Sequence, residues 1–323
     1  MSLGSIISST HKRAAPYLIL DCSSPSFMFF LIVNFYIAPV HFAPVNDTEF
    51  DTLLQRDFTK APRQVCEATQ IAEDGGFGSQ YQNIIQTALY AKWKGKSFCV
   101  TPITAIHHNY DSSNSFLQEV NEILDLPKLP AEQFYCLFVH SCHLKVATHI
   151  DFIENKKRWF DNFIKDTKHA DFAKHFLQKL GRRKHDHFER ASEGKHAAVH
   201  IRRLNPHDND FTRNHLQDRD YCYAMRLVQA ANPGITFSIH SQGEYESFGL
   251  FGDDPRISLH LNEALNASFV QMVRADVLII ARSSFSYTAG LLQEGEVWAP
   301  DSFWHTLPYY WKTFETGRGI SEE

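Results

Sequence analysis

The 323-residue chain has no CxxC pair and no HExxH grouping. Zinc ribbons, thioredoxin-type redox chemistry and zincin-type hydrolysis therefore lack their ligand patterns. It has no GxGxxG turn and no phosphate-loop lysine, so a nicotinamide or Walker-type site is excluded. Basic residues are not in excess: the net charge is -5, and a dedicated nucleic-acid binder needs a basic surface to displace counterions. An apolar run of the roughly 20 residues that span a bilayer is also missing. The stretch from Phe27 to Val40 covers 14 residues, and extending it back to Tyr17 takes in Asp21. His11, Lys12 and Arg13 precede it, the basic-then-apolar order of a signal peptide or signal anchor. Residues 1–45 thus read as either a signal or anchor or an irregular extension. Localisation follows that choice: membrane-associated and Golgi-type with an anchor, cytoplasmic without one. The sequons at Asn46 and Asn266 matter only in a secretory setting.

What is present describes a globular protein: 43% hydrophobic residues, 21% charged and 13% aromatic. Six cysteines do not fix the redox compartment. Cys136, Cys142 and His143 flank Leu137, Phe138 and Val139, and read as a buried strand before a metal site. The 18 histidines are scattered. No metal ligand set is assigned.

Gly75-Gly76-Phe77-Gly78 forms a glycine-rich turn, with Ser79 placed to cap a helix through Trp93 and a strand expected over Ser97–Thr101. Helical patterns follow at 111–125 and 151–180. From Lys195 strands and helices alternate: strand His196–Ile201, helix Asp220–Ala231, strand Ile235–His240, helix Leu261–Arg274, strand Val277–Ala281 and helix Ser286–Leu292. Alternation implies a parallel sheet covered on both faces.

Ligands in such sheets bind beyond the carboxyl ends of the strands. Three motifs sit there. Val199-His200-Ile201-Arg202-Arg203 places two guanidiniums at a strand end, where their forked donors match phosphate oxygens. A pair of surface ion pairs is the bland alternative. Asp276 to Ser286 runs from an apolar strand into the serine turn Ser283-Ser284-Phe285-Ser286 and a helix start. That is an anion site, or simple capping. Phe237 to Glu244 ends a strand in the polar turn that begins at Ser241.

In order, these pieces resemble the inverting fucosyltransferases: the α-1,2 type and the related α-1,6 and protein O-fucosyltransferases. The resemblance spans roughly residues 74–295. Gly75, Gly76, Gly78 and Gln80 match the family's GGLGNQ, with Ser79 in place of its asparagine. His200, Arg202 and Arg203 match its HxRR, followed here by Leu204-Asn205-Pro206-His207-Asp208 instead of glycine and aspartate. The resemblance implies an α/β, GT-B-like architecture of two Rossmann-type domains with a cleft between them. The acceptor-side domain would be 46–190 and the nucleotide-sugar domain 191–323. It implies a metal-independent transferase moving fucose from GDP-fucose, or a sugar from another nucleotide donor, to a glycan acceptor, with no bound cofactor. Arg202 would hold the β-phosphate, His200 and Asp276 the base, and Ser283, Ser284 and Ser286 the diphosphate oxygens. His207 and Asp208 are the local candidates for general base, with Glu244 next. A nucleotide-sugar-binding protein without catalysis is the reading from another class. The aromatic run Trp298 to Trp311 is either a sugar platform or a tail packed on the protein.

Overall fold

A computed structural model describes residues 68–69, 75–103, 106, 117–118, 120–121, 123, 156–185, 194–203 and 216–317. Its centre is a six-stranded, wholly parallel sheet. The strands are β1 (His196–His200), β2 (Thr236–Ser241), β3 (Ile257–Leu261), β4 (Val277–Ile279), β5 (Glu296–Pro300) and β6 (Lys312–Phe314). Their spatial order is β3-β2-β1-β4-β5-β6. The order reverses between β1 and β4, which makes that gap the topological switch point of a doubly wound sheet.

The helices are α1 (Phe77–Trp93), α2 (Lys156–Phe163), α3 (Thr167–His185), α4 (Asp218–Ala231), α5 (Leu265–Arg274) and α6 (Ser284–Leu292). Side-chain alternation splits the sheet's two faces cleanly. Ala197, Val199, Ile201, Ile279 and Trp298 share a core with Tyr221, Ala224 and Val228 of α4. Ala198, Leu278, Ile280 and Val297 share the other with residues of α1, α2, α3, α5 and α6. Strands apolar on both faces, such as Val277–Ile279, are what a sheet sandwiched between helices demands.

Several boundaries differ from the sequence expectation. The glycine turn is shorter than expected: the helix begins at Phe77 with Gly76 at its N-cap, so Gly78 and Ser79 lie in the first helical turn. Ser97–Thr101 forms no ladder among the described residues, only an isolated parallel bridge between Ala68 and Phe98. The expected helix from Leu261 is instead strand β3, a turn, and α5 starting at Leu265. The carboxy-terminal aromatic run starts within β5 and leads into β6. It also packs back on the helices: Trp311 abuts Gly290 of α6, the Tyr309 hydroxyl donates to Asp171 of α3 at 2.5 Å, and Lys174 of α3 lies over the Tyr310 ring. Cys99 is disulfide-bonded, and Cys222 is a free thiol. No described helix is long and apolar enough to cross a membrane.

Candidate functional site

The site is assembled at the carboxyl ends of β1 and β4. The β1–β4 register ends at the Val199–Ile279 pair, and Arg202 and Arg282 each follow three residues later. Arg203 fixes which way each arginine turns. Its guanidinium meets the Asp218 carboxylate at 2.5 and 3.0 Å, donates to the Ser247 carbonyl and lies over the Phe248 ring. That anchors Arg203 on the α4 side. A hydrogen bond between the Tyr221 hydroxyl and the Arg202 backbone holds the turn from the same side. Alternation then carries Arg202 to the opposite face, the one covered by α1, α5 and α6.

His200 occupies that same face. Its ring makes an edge contact with Phe285 at 5.3 Å, in an aromatic group with Phe77 and Phe269. Its buried Nδ1 has no hydrogen-bond partner among the described residues. Burial, then His240 and the Arg202 charge, push its pKa down to about 3, so the imidazole is neutral at working pH.

Two helix amino ends meet beside it. Gly78 of α1 touches the start of α6 so closely that a Cβ would stand 2.3 Å from the Phe285 nitrogen. The Thr288 hydroxyl donates to the Gly78 carbonyl at 3.2 Å, locking the two ends together. Ser283 is the N-cap of α6; its Oγ accepts the Phe285 N–H at 3.2 Å. Ser286 is fully buried, with its hydroxyl turned to the Ala281 carbonyl. Ser284 and Phe285 are partly exposed. Aligned peptide dipoles make each helix start electropositive, and here two such starts meet beside His200.

The predicted residues therefore divide. His200, Gly78, Ser79, Ser283, Ser284, Phe285 and Ser286 come together, and Arg202 follows His200 at the strand end with its charge felt by that ring. Gly75 and Gly76 lead into α1, and Gln80 turns its side chain back to the Gly75 carbonyl. Ser241 ends β2, its hydroxyl given to the Ile201 carbonyl at 2.6 Å, so it shapes the turn before Arg202. Arg203 is taken up by Asp218. Asp276 does not join the group. It precedes β4, at the amino edge of the sheet, where its Oδ2 accepts the His196 N–H at 2.9 Å. Its neighbour His196 lies four residues before His200 on β1, about 13 Å at the usual rise, which sets Asp276 at the far end of the strand from His200. His207 and Asp208 lie outside the described residues. Glu244 is exposed beyond β2. Sequence reasoning left out Arg282, whose buried Nε has no partner among the described residues. Its place directly before the capping serine was the available signal.

No protein-family model matches the chain, and no curated protein matches it. Among solved structures, it overlaps an α-1,6-fucosyltransferase, NodZ, co-crystallised with GDP, at 12% identity and a TM-score of 0.38. The overlap covers 71% of this chain and 93% of that one. POFUT1 in complex with GDP gives 10% identity and a TM-score of 0.39, covering 79% of this chain and 100% of that one. A mutant of Arabidopsis thaliana FUT1 in complex with GDP gives 12% and 0.37, covering 78% and 74%. Overlaps at this level leave the reaction to be argued from the chain's own residues.

Proposed function

We propose that the chain is a glycosyltransferase that uses a nucleoside diphosphate sugar, GDP-fucose by preference, and transfers the sugar with inversion to a glycan hydroxyl. The observation that carries this reading is the corner at the switch point. A neutral buried histidine with an unused nitrogen stands beside two touching helix amino ends, and Arg202 follows it at the strand end. Such a corner suits a diphosphate: two helix starts supply N–H donors and partial positive charge, and the guanidinium supplies a fork.

Negative charge on the diphosphate grows as the sugar–oxygen bond breaks. A cation fixed at that point stabilises the transition state more than the ground state, and so accelerates the step. No protein group needs to move to do this, because Tyr221 and Asp218 already hold the strand end in place. In this reading the Arg202 corner meets the leaving group without a metal ion, and His207 or Asp208 receives the acceptor's proton. The disulfide at Cys99 and the basic-then-apolar amino terminus support a secretory-pathway setting.

Arg202→Ala tests the proposal. Loss of the leaving-group contact raises the barrier by about 2.7–4 kcal/mol, a hundredfold to thousandfold fall in turnover. Arg202→Lys should restore little, because an ammonium lacks the fork. Free GDP release from GDP-fucose, with and without glycan acceptors, reads turnover. Thermal shift with GDP against UDP reads the donor class. Near-normal turnover in a folded Arg202→Ala protein refutes the assignment.

A further inference from the structure

The parallel register lines up three histidines across three neighbouring strands: His200 on β1 pairs with His240 on β2, which pairs with His260 on β3. The last two face Glu263, at the turn into α5. The His240 Nδ1 lies 3.4 Å from Glu263 Oε2, and the His260 Nδ1 lies 2.7 Å from Glu263 Oε1. One donor atom from each of the three residues falls within 4.8 Å of the others. We infer that His240, His260 and Glu263 form a binding site for a divalent transition-metal ion of zinc type, which braces the ends of β2 and β3 against α5.

Three observations support this beyond the cluster itself. First, His240 is 1% exposed, yet its Nδ1 has no hydrogen-bond partner among the described residues, although it lies 3.4 Å from a carboxylate oxygen. A buried nitrogen aimed at an anion and not bonded to it leaves room for a cation between them. Second, the far nitrogen of each ring is already engaged by a serine on the same strand. His240 Nε2 meets Ser238 Oγ at 2.9 Å, and His260 Nε2 meets Ser258 Oγ at 3.1 Å. When each Nε2–H donates to its serine, both Nδ1 lone pairs turn toward Glu263, the arrangement that metal-ligating histidines adopt. Third, Glu263 is itself oriented: Ser268 Oγ donates to it at 3.2 Å and Gln271 Nε2 at 3.4 Å, both from α5.

The spacing suits a small tetrahedral ion. Bonds of about 2.0–2.1 Å place ligand atoms about 3.3 Å apart. The His240–Oε2 pair already has that separation; the His260–Oε1 pair, hydrogen-bonded without an ion, opens by about 0.6 Å, and the three ligand atoms, within 4.8 Å of one another, draw in around the ion. Two imidazoles and a carboxylate favour zinc-like ions over magnesium or calcium, which prefer all-oxygen sets. Glu263 and His260 are partly exposed, so an ion has an entry path and water can complete its coordination. The site borders the diphosphate corner through the His200–His240 pair but shares no ligand residue with it, and the proposed transfer itself uses no metal.

The test uses the tag-free full chain, stripped with EDTA and dialysed. Mass spectrometry for metals, thermal shift with zinc chloride, and the visible spectrum after cobalt(II) loading are measured on the protein and on His260→Asn and Glu263→Gln. Both substituted residues are partly exposed, so the fold should survive. One zinc per chain, a raised Tm, and an intense four-coordinate cobalt spectrum are expected, with affinity at least about tenfold weaker in each variant. No stoichiometric zinc, or zinc bound equally well by the variants, overturns the site. GDP thermal shift on the same samples reports the donor corner independently.

Discussion

Replacing Gly78 by alanine is the sharpest way to probe the corner where α1 and α6 meet. The added Cβ would lie 2.3 Å from the Phe285 nitrogen, 2.5 Å from the Ser284 carbonyl carbon and 2.6 Å from the Phe285 Cα. All three are backbone atoms of a helix start, so no side-chain rotation relieves the clash. Ordinary contact begins at 3.4 Å, so the two helix ends must part by 1.1 Å (3.4 less 2.3). Overpacking of this kind costs about 1–3 kcal/mol. In a protein of this size that lowers Tm by roughly 2–12 °C. The Thr288–Gly78 hydrogen bond stretches with it, and the paired helix starts no longer converge on one anion. Loss of their joint field should weaken GDP binding by about tenfold, equivalent to about 1.4 kcal/mol. Differential scanning fluorimetry with a GDP titration reads both effects. A Gly78→Ala protein with wild-type Tm and wild-type GDP affinity refutes the contact and the site built on it.

Two further outcomes follow from the same geometry. His200 has its pKa held down near 3 in the folded state, whereas the unfolded chain takes up that proton near 6.5. Its contribution therefore falls as pH drops from about 6.5 toward 3, by at most about 1.4 kcal/mol per pH unit. Urea unfolding at several pH values should give a shallower acid slope for His200→Asn than for the wild type; an identical slope counts against a buried, neutral His200. Asp276→Ala strips the partner from the His196 N–H and should cost about 1–3 kcal/mol of stability while GDP affinity stays unchanged. A selective loss of GDP affinity there would return Asp276 to the ligand.

Much of the sheet was legible in the sequence because its strands are short, apolar and bounded by helix-period segments. The strand before Arg202, the strand before Ser241 and the helix ending at Ala231 all lie within a few residues of expectation. β3 was not legible. Ser258 and His260 interrupt Ile257, Leu259 and Leu261, and an edge strand with one polar face resembles a loop. The placement of Asp276 was available in principle, since it stands before its apolar strand and ligands gather after one. Arg203 was misleading for a different reason. Adjacent residues at a strand end face opposite ways, and which of two arginines meets the ligand depends on what each face is packed against. The alignment of His240 with His260 could not be read at all, because register is a property of paired strands and not of either alone.

The contact between Thr288 and Gly78 joins residues 210 positions apart. During synthesis, α1 emerges from the ribosome long before the helix it needs has been made. The contact is thus a late event in the life of each molecule, and closing so long a loop is slow. A fragment cut short before α6 would hold the glycines and the arginines and still lack the second helix start of the proposed donor corner.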